Sequence, residues 1–202
     1  MSLDVSCIVN TIFNSNTFIL SKRDSSIVWI IDPGDVDILI TTLQIDNKQV
    51  GGVLITHAHF DHIYGLNKLL TFYPNLTVYI GQEDMDALYS SKMNMSRYHE
   101  EEDFIYNGKN VFPLQNGVHL TLFDGVRAEV ISVPGHTPGC LAYKINNKLF
   151  TGDAYIPGHE VVTMLPRANK TLAIKNKQIL ISLSNESKLD LYPGHGDILC
   201  TK

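Results

Sequence analysis

The chain is short of cysteine. It has three in 202 residues, Cys7, Cys140 and Cys200, widely spaced in sequence. An odd count with no close pair argues against a disulfide framework and predicts reduced thiols in a cytoplasmic protein. Positive charge is also scarce. Lys and Arg total 16 against 21 Asp and Glu, for a net charge of −5, and no basic stripe is present, which disfavours nucleic acid as a partner. No apolar run approaches the roughly 20 residues of a membrane-spanning helix. Met1-Ser2-Leu3-Asp4 lacks the basic start of a secretory leader. Repeats and low-complexity tracts are absent. What remains is 44% hydrophobic residues, enough for a sizeable core, in a length that suits one domain over residues 1–202.

Against this background one stretch stands out: Thr56-His57-Ala58-His59-Phe60-Asp61-His62. The preceding Val53-Leu54-Ile55 reads as a buried strand ending at Thr56. In extended chain just past it, His57 and His59 point the same way, because side chains there repeat every two residues. Two imidazoles on one side chelate one ion. Asp61 and His62 fall where the chain turns into a helix and face a neighbouring position, so one segment addresses two metals. The bland alternative is a run of solvated loop residues, but neutral imidazole and carboxylate are preferred ligands for zinc and similar ions.

The flanking chain alternates between strand and helix patterns. Residues 5–9, 17–20 and 27–31 read as opening strands, the last two separated by Lys22-Arg23-Asp24-Ser25 with turn chemistry. Asp32-Pro33-Gly34 ends the third. There Asp32 is either a plain turn residue or a carboxylate that orients the ligand loop by hydrogen bonding. Residues 35–48 hold a short helix. Ile63, Leu66, Leu69-Leu70 and Tyr73 repeat at helical spacing up to Pro74, and this helix is expected to carry Asp61 and His62 in its first turn. Leu76–Ile80 is the next strand, and the alternation suggests crossover pairing in layers. Gln82-Glu83-Asp84 opens a helix over 82–91, acidic as a helix start should be. Residues 92–117 are irregular, with part of the segment expected as a lid and the acidic run Glu100–Asp103 as solvated surface.

Two hairpins follow, 118–123 with 126–133 across Asp124-Gly125, and 141–145 with 148–151 across Asn146-Asn147. Between them lies Pro134-Gly135-His136-Thr137-Pro138-Gly139. Thr151-Gly152-Asp153 ends a strand in a turn, and Leu189–Tyr192 runs into Pro193-Gly194-His195-Gly196-Asp197. Residues 169–184 form one helix with Leu172, Ile179, Leu180 and Leu183 inward. Four strand ends thus deliver His or Asp into Gly-rich turns, and binding sites in α/β architectures form where strand ends converge.

The order His57-x-His59-x-Asp61-His62, Gly135-His136-Thr137-Pro138-Gly139, Thr151-Gly152-Asp153 and Pro193-Gly194-His195-Gly196 resembles the metallo-β-lactamase superfamily, and most of all its small glyoxalase II-like hydrolases. Ile31-Asp32-Pro33-Gly34 matches as well. The resemblance covers nearly the whole chain. It implies an α/β (α+β) fold, a four-layer αββα sandwich with a dinuclear site in the groove along its top edge. Carried over by position, His57, His59 and His136 would bind one metal, Asp61, His62 and His195 a second, and Asp153 both. The implied cofactors are two divalent metal ions, zinc first, with iron or manganese as alternatives. The implied activity is hydrolysis of a small-molecule ester or thioester, as in hydroxyacylglutathione hydrolases. Two cations lower the pKa of bound water from about 15.7 toward about 7, and Asp61, as the catalytic residue, would orient the water and take its proton.

Rival readings use the same residues. A lactonase or phosphodiesterase would share the site. A persulfide dioxygenase would need one iron on His57, His136 and Asp153, and the filled second set argues against it. A regulatory metal-binding domain would keep the ions for stability alone. A β-lactamase of the commonest type has a different residue at the His62 position. Two departures from glyoxalase II enzymes bear on substrate: their C-terminal helical region helps bind glutathione, whereas seven residues follow His195 here, and Ala154-Tyr155-Ile156-Pro157-Gly158-His159 replaces their Gly-Arg stretch. Cys140 reads as a buried small side chain, not a ligand. His159 reads as a surface residue with a secondary claim on substrate, Arg167 and Lys170 as a solvated helix start, and His99 and His119 as non-catalytic.

Overall fold

The computed structural model describes residues 3–99 and 103–201. Eleven strands form two sheets. In the first, β1 (Leu3–Val9), β2 (Asn16–Lys22), β3 (Ile27–Ile31), β4 (Gln49–Leu54), β5 (Val78–Gly81) and β6 (Val111–Leu114) lie side by side in that order. β1, β2 and β3 pair antiparallel, while β3 through β6 run parallel. In the second, β7 (His119–Phe123), β8 (Val126–Ser132), β9 (Leu141–Ile145), β10 (Lys148–Gly152) and β11 (Asp190–Pro193) are neighbours in sequence order. Only β10 and β11 pair parallel there.

Side-chain alternation builds the layers. On β3, Val28 and Ile30 face a core beneath α1 (Asp37–Ile45) and α2 (Leu66–Phe72), while Trp29 and Ile31 face the second sheet. On β9, Leu141, Tyr143 and Ile145 face that same inter-sheet core, and Ala142 faces α3 (Lys170–Ser187) with Leu180 and Leu189. Period-two strands buried on both faces need a cover on each side, and helix–sheet–sheet–helix is the result. This is the αββα sandwich that the family pattern implied.

Several local expectations are corrected. Asp61 and His62 sit in a separate 3-10 turn, Phe60–His62, ahead of α2. Residues 82–91 form 3-10 turns over Gln82–Tyr89 instead of an α-helix. The irregular segment 92–117 contains β6, an edge strand where Pro113 is tolerated for want of a required donor. Glu100, Glu101 and Glu102 lie outside the described residues. On α3, Leu172 and Ile179 face outward, while Ala173, Asn176 and Ser184 join Leu180 in the buried face. Asn176 is buried because its amide donates to Pro134 O at 2.6 Å and so holds the loop that carries His136.

Candidate metal centre

The parallel pairing of β10 with β11 matches Gly152 to Pro193, so Asp153 and His195 leave the sheet at one edge. The loop after β4 delivers His57 through His62 to the same edge, and the β8–β9 loop delivers His136. All seven sequence-predicted residues meet there. One potential ligand atom from each of His57, His59 and His136 lies within 4.8 Å of the others, and so does one from each of Asp61, His62 and His195. Asp153 stands between the two sets. Its Oδ2 is 3.6 Å from His136 Nε2 and 3.4 Å from His195 Nε2, and its Oδ1 is 3.5 Å from His62 Nε2. Gly194 makes room for it, because a Cβ there would strike Asp153 Oδ1 and His62 Cε1.

Four of the five imidazoles are aimed by a partner behind them. His136 Nδ1 donates to Val162 O at 2.8 Å, and His195 Nδ1 to Phe13 O at 3.1 Å. His62 Nδ1 lies 3.1 Å from Asp32 Oδ2. Thr56 Oγ1 donates to Asp32 at 2.6 Å, which leaves its oxygen to accept from His57 Nδ1 at 3.1 Å. An acceptor fixes the proton on the outer nitrogen, so the inner nitrogen presents a lone pair. Asp32 is therefore both a turn residue, at φ +51°, and the anchor of the ligand loop. A further potential grouping, Asp32 with His57 and His62, is this hydrogen-bonded relay, since Thr56 and His62 already occupy the Asp32 oxygens.

Two inner atoms lack a counterpart in the protein. His57 Nε2 and Asp153 Oδ1 are buried without a hydrogen-bond partner. His59 Nδ1 and His136 Nε2 face each other at 2.9 Å. Burial holds His57 well below the ordinary imidazole pKa and brings His59 down to about 3. At His62 and His195 burial pulls the same way, but Asp61 and Asp153 outweigh it, raising His62 well above the usual value and His195 to about 10. The reciprocal effect overcomes burial at both carboxylates, lowering Asp153 to about 2 and Asp61 below the usual range. Converging lone pairs, buried orphan acceptors and two carboxylates that demand adjacent positive charge fit divalent cations. The donor set suits a pair of them.

A cavity of about 340 Å³ opens over the cluster. Its lining includes Met95, Tyr98 and His99 from segment 92–117, so part of the expected lid borders the site. His119 is exposed on β7. His159 is exposed and outside the cavity lining, and Arg167 donates to Glu83 O at 2.6 Å. Lys170 opens α3, also away from the cavity. Cys140 is buried, with its thiol 3.0 Å from Thr137 Oγ1.

Sequence reasoning missed Asp84. It is fully buried, accepting from Thr137 Oγ1 at 2.5 Å, Gly139 N at 3.1 Å and Ala58 N at 3.3 Å. It ties the His57/His59 loop to the His136 loop. The acidic pair Glu83-Asp84 drew attention only as part of a helix start.

A layered αββα scaffold with a His- and Asp-rich cluster at its edge, suited to a pair of metal ions, defines a class of metallo-hydrolase. The chain belongs to the metallo-beta-lactamase superfamily, whose family model matches residues 10–195. It is 29% identical over 196 residues to the "Probable metallo-hydrolase" of Streptococcus pyogenes, covering 93% of this chain and 82% of that one. It is 30% identical over 148 residues to the hydroxyacylglutathione hydrolase of Shewanella halifaxensis, covering 72% of this chain. The chain spans about half, 50%, of that relative's length. Among solved structures, the BLEG-1 B3 metallo-beta-lactamase superposes with a TM-score of 0.87 at 26% identity, over 96% of this chain and 93% of that one.

Proposed function

We propose that the protein is a dinuclear-metal hydrolase of small esters or thioesters, similar in chemistry to hydroxyacylglutathione hydrolases, and that residues 1–202 work as one domain in the cytoplasm. The ions are zinc in this reading. His57, His59 and His136 hold one, Asp61, His62 and His195 hold the other, and Asp153 serves both. The supporting observation is Asp153 itself, whose oxygens approach His136 from one set and His62 and His195 from the other. Three unpaired thiols agree with the cytoplasmic reading.

When bound, the ions supply Lewis acidity and an activated water at neutral pH. The chain's own residues supply the rest. Asp61 Oδ2, 3.2 Å from both His62 Nε2 and His195 Nε2, stays ionised and accepts the proton of the attacking water. A C–O bond forms at the carbonyl carbon, the C–S or C–O bond to the leaving group breaks, and that group departs as an anion that takes up a proton. Phe60 lines the cavity beside the cluster and offers the acyl group an apolar wall.

Elemental analysis and thioester turnover test this together. About two zinc-like ions per chain, with His59→Ala and Asp153→Ala each folded but stripped of metal and turnover, is the expected result. One iron per chain, or either variant at wild-type rate, rejects it.

A further inference from the structure

The walls of the cavity carry chemistry that the metal cluster does not explain. Phe13, Phe60, Met95 and Tyr98 line it from segments beside His195 and His59, and Val162 and Leu165 line it from the segment beside His136. The same backbone that aims the ligands builds these walls: Phe13 O receives His195 Nδ1 and Val162 O receives His136 Nδ1. Two of these bulky side chains stand on left-handed backbone, Phe13 at φ +53° and Met95 at φ +71°. Large residues in that conformation are strained, and such strain clusters where a ligand is clamped. Phe13 is nonetheless 64% exposed, so core packing does not account for it.

Among the described residues, no Lys or Arg lines the cavity. Three cations of neighbouring segments are engaged elsewhere, and Lys92 and Lys170 are not part of the lining. Arg97 pairs with Asp103 at 3.3 Å, Arg167 turns to Glu83 O and Asp84, and Lys177 pairs with Glu160 at 3.3 Å. An anionic group drawn between these walls, away from the cluster, would lose water and find no Lys or Arg to pair with, Tyr98 and His99 being the polar side chains of the walls.

We infer that the site selects an uncharged substrate whose acyl group is an apolar chain or ring, and discriminates against acyl groups that end in a carboxylate. This rests on the hydrolase reading above and adds the substrate class. The apolar chain lies between the aromatic residues Phe13 and Tyr98 and the aliphatic pair Val162 and Leu165, while the carbonyl meets the cluster.

The test uses zinc-loaded protein and 4-nitrothiophenyl thioesters of acetate, hexanoate and glutarate, which share one leaving group. Each buried methylene is worth about fourfold in kcat/KM, so with two of its four additional methylenes buried hexanoyl should exceed acetyl by about tenfold or more. Glutaryl, matched to hexanoyl in length, should fall about tenfold below it. Val162→Lys, at a largely exposed side chain, should raise the glutaryl-to-hexanoyl ratio by about tenfold. Glutaryl turned over as fast as hexanoyl, or a ratio unmoved in Val162→Lys, overturns the inference. The non-hydrolysable sulfides, hexyl and 4-carboxybutyl 4-nitrophenyl, separate the two claims by calorimetry. Tighter hexyl binding supports the inference even where no thioester turns over, an outcome that rejects the hydrolase reading alone. Tighter carboxybutyl binding overturns the inference whatever the turnover.

Discussion

Asp32 holds His62 from behind. Its Oδ2 lies 3.1 Å from His62 Nδ1, and its two oxygens also accept from Thr56 N at 2.7 Å and Thr56 Oγ1 at 2.6 Å. One fully buried carboxylate thereby fixes the tautomer of His62 and, through Thr56, that of His57. Burial raises the Asp32 pKa despite these donors, so the group depends on all three to remain an acceptor. Asp32→Ala leaves them unsatisfied. It should cost about 3 kcal/mol of stability and weaken zinc binding about tenfold or more in chelator competition. Unchanged zinc affinity would reduce Asp32 to a turn residue.

Asp84→Asn tests the clamp between the ligand loops. The amide nitrogen must face one of the donors now served by the two Asp84 oxygens, Thr137 Oγ1, Gly139 N or Ala58 N. A loss of about 2 kcal/mol, or about 5 °C in Tm, is expected, with the first zinc equivalent weakened more than the second. Calorimetric titration resolves the two equivalents. Equal weakening of both would mean a general loss of structure.

The convergence of the seven His and Asp residues was legible in sequence because the dense His57–His62 run follows a strand pattern, and His136, Asp153 and His195 sit in Gly-containing turns at other strand ends. The layers were legible because β3 is apolar throughout and strand patterns alternate with helix patterns along the first half of the chain. Asp84 was not legible, since its partners lie 26 to 55 positions away in sequence and no local pattern announces them. The anchors of His136 and His195 are the carbonyls of Val162 and Phe13, which any residue would supply. On α3 apolar spacing misled, because a polar contact from Asn176 to Pro134 outranks Leu172 and Ile179 in setting which face turns inward. The 3-10 turn at Phe60–His62 is fixed by a tertiary bond, Phe60 N to Asn94 O at 2.8 Å.

Gly194→Ala isolates crowding. The backbone of Gly194 is not left-handed, so alanine meets no conformational penalty there. Its Cβ meets Asp153 Oδ1 and His62 Cε1 instead. An overpacking cost of about 1–3 kcal/mol is expected, together with fewer than two zinc ions per chain by elemental analysis. Two tightly held ions in this variant would contradict the close approach of Gly194 to Asp153.

The metal-free protein should lose stability on both sides of neutrality. On the alkaline side, His195 rises from 6.5 to about 10 because Asp61 and Asp153 outweigh burial. A group raised on folding stabilises fully below its unfolded pKa, and that contribution fades as pH climbs from about 6.5 through about 10. On the acid side, burial lowers His59 from 6.5 to about 3, so the unfolded chain binds a proton that the folded one refuses, and stability falls as pH drops below 6.5. Asp153, lowered from 3.8 to about 2, adds to the acid loss below about 4. In the proposed site zinc replaces the His195 proton, so the loaded protein should be flat from pH 7 to 10 and should release protons on loading at pH 8. Urea midpoints of both forms across that range, with His195→Gln as the metal-free control, measure the difference. A metal-free midpoint as high at pH 9.5 as at pH 7 would mean that His195 carries no such proton.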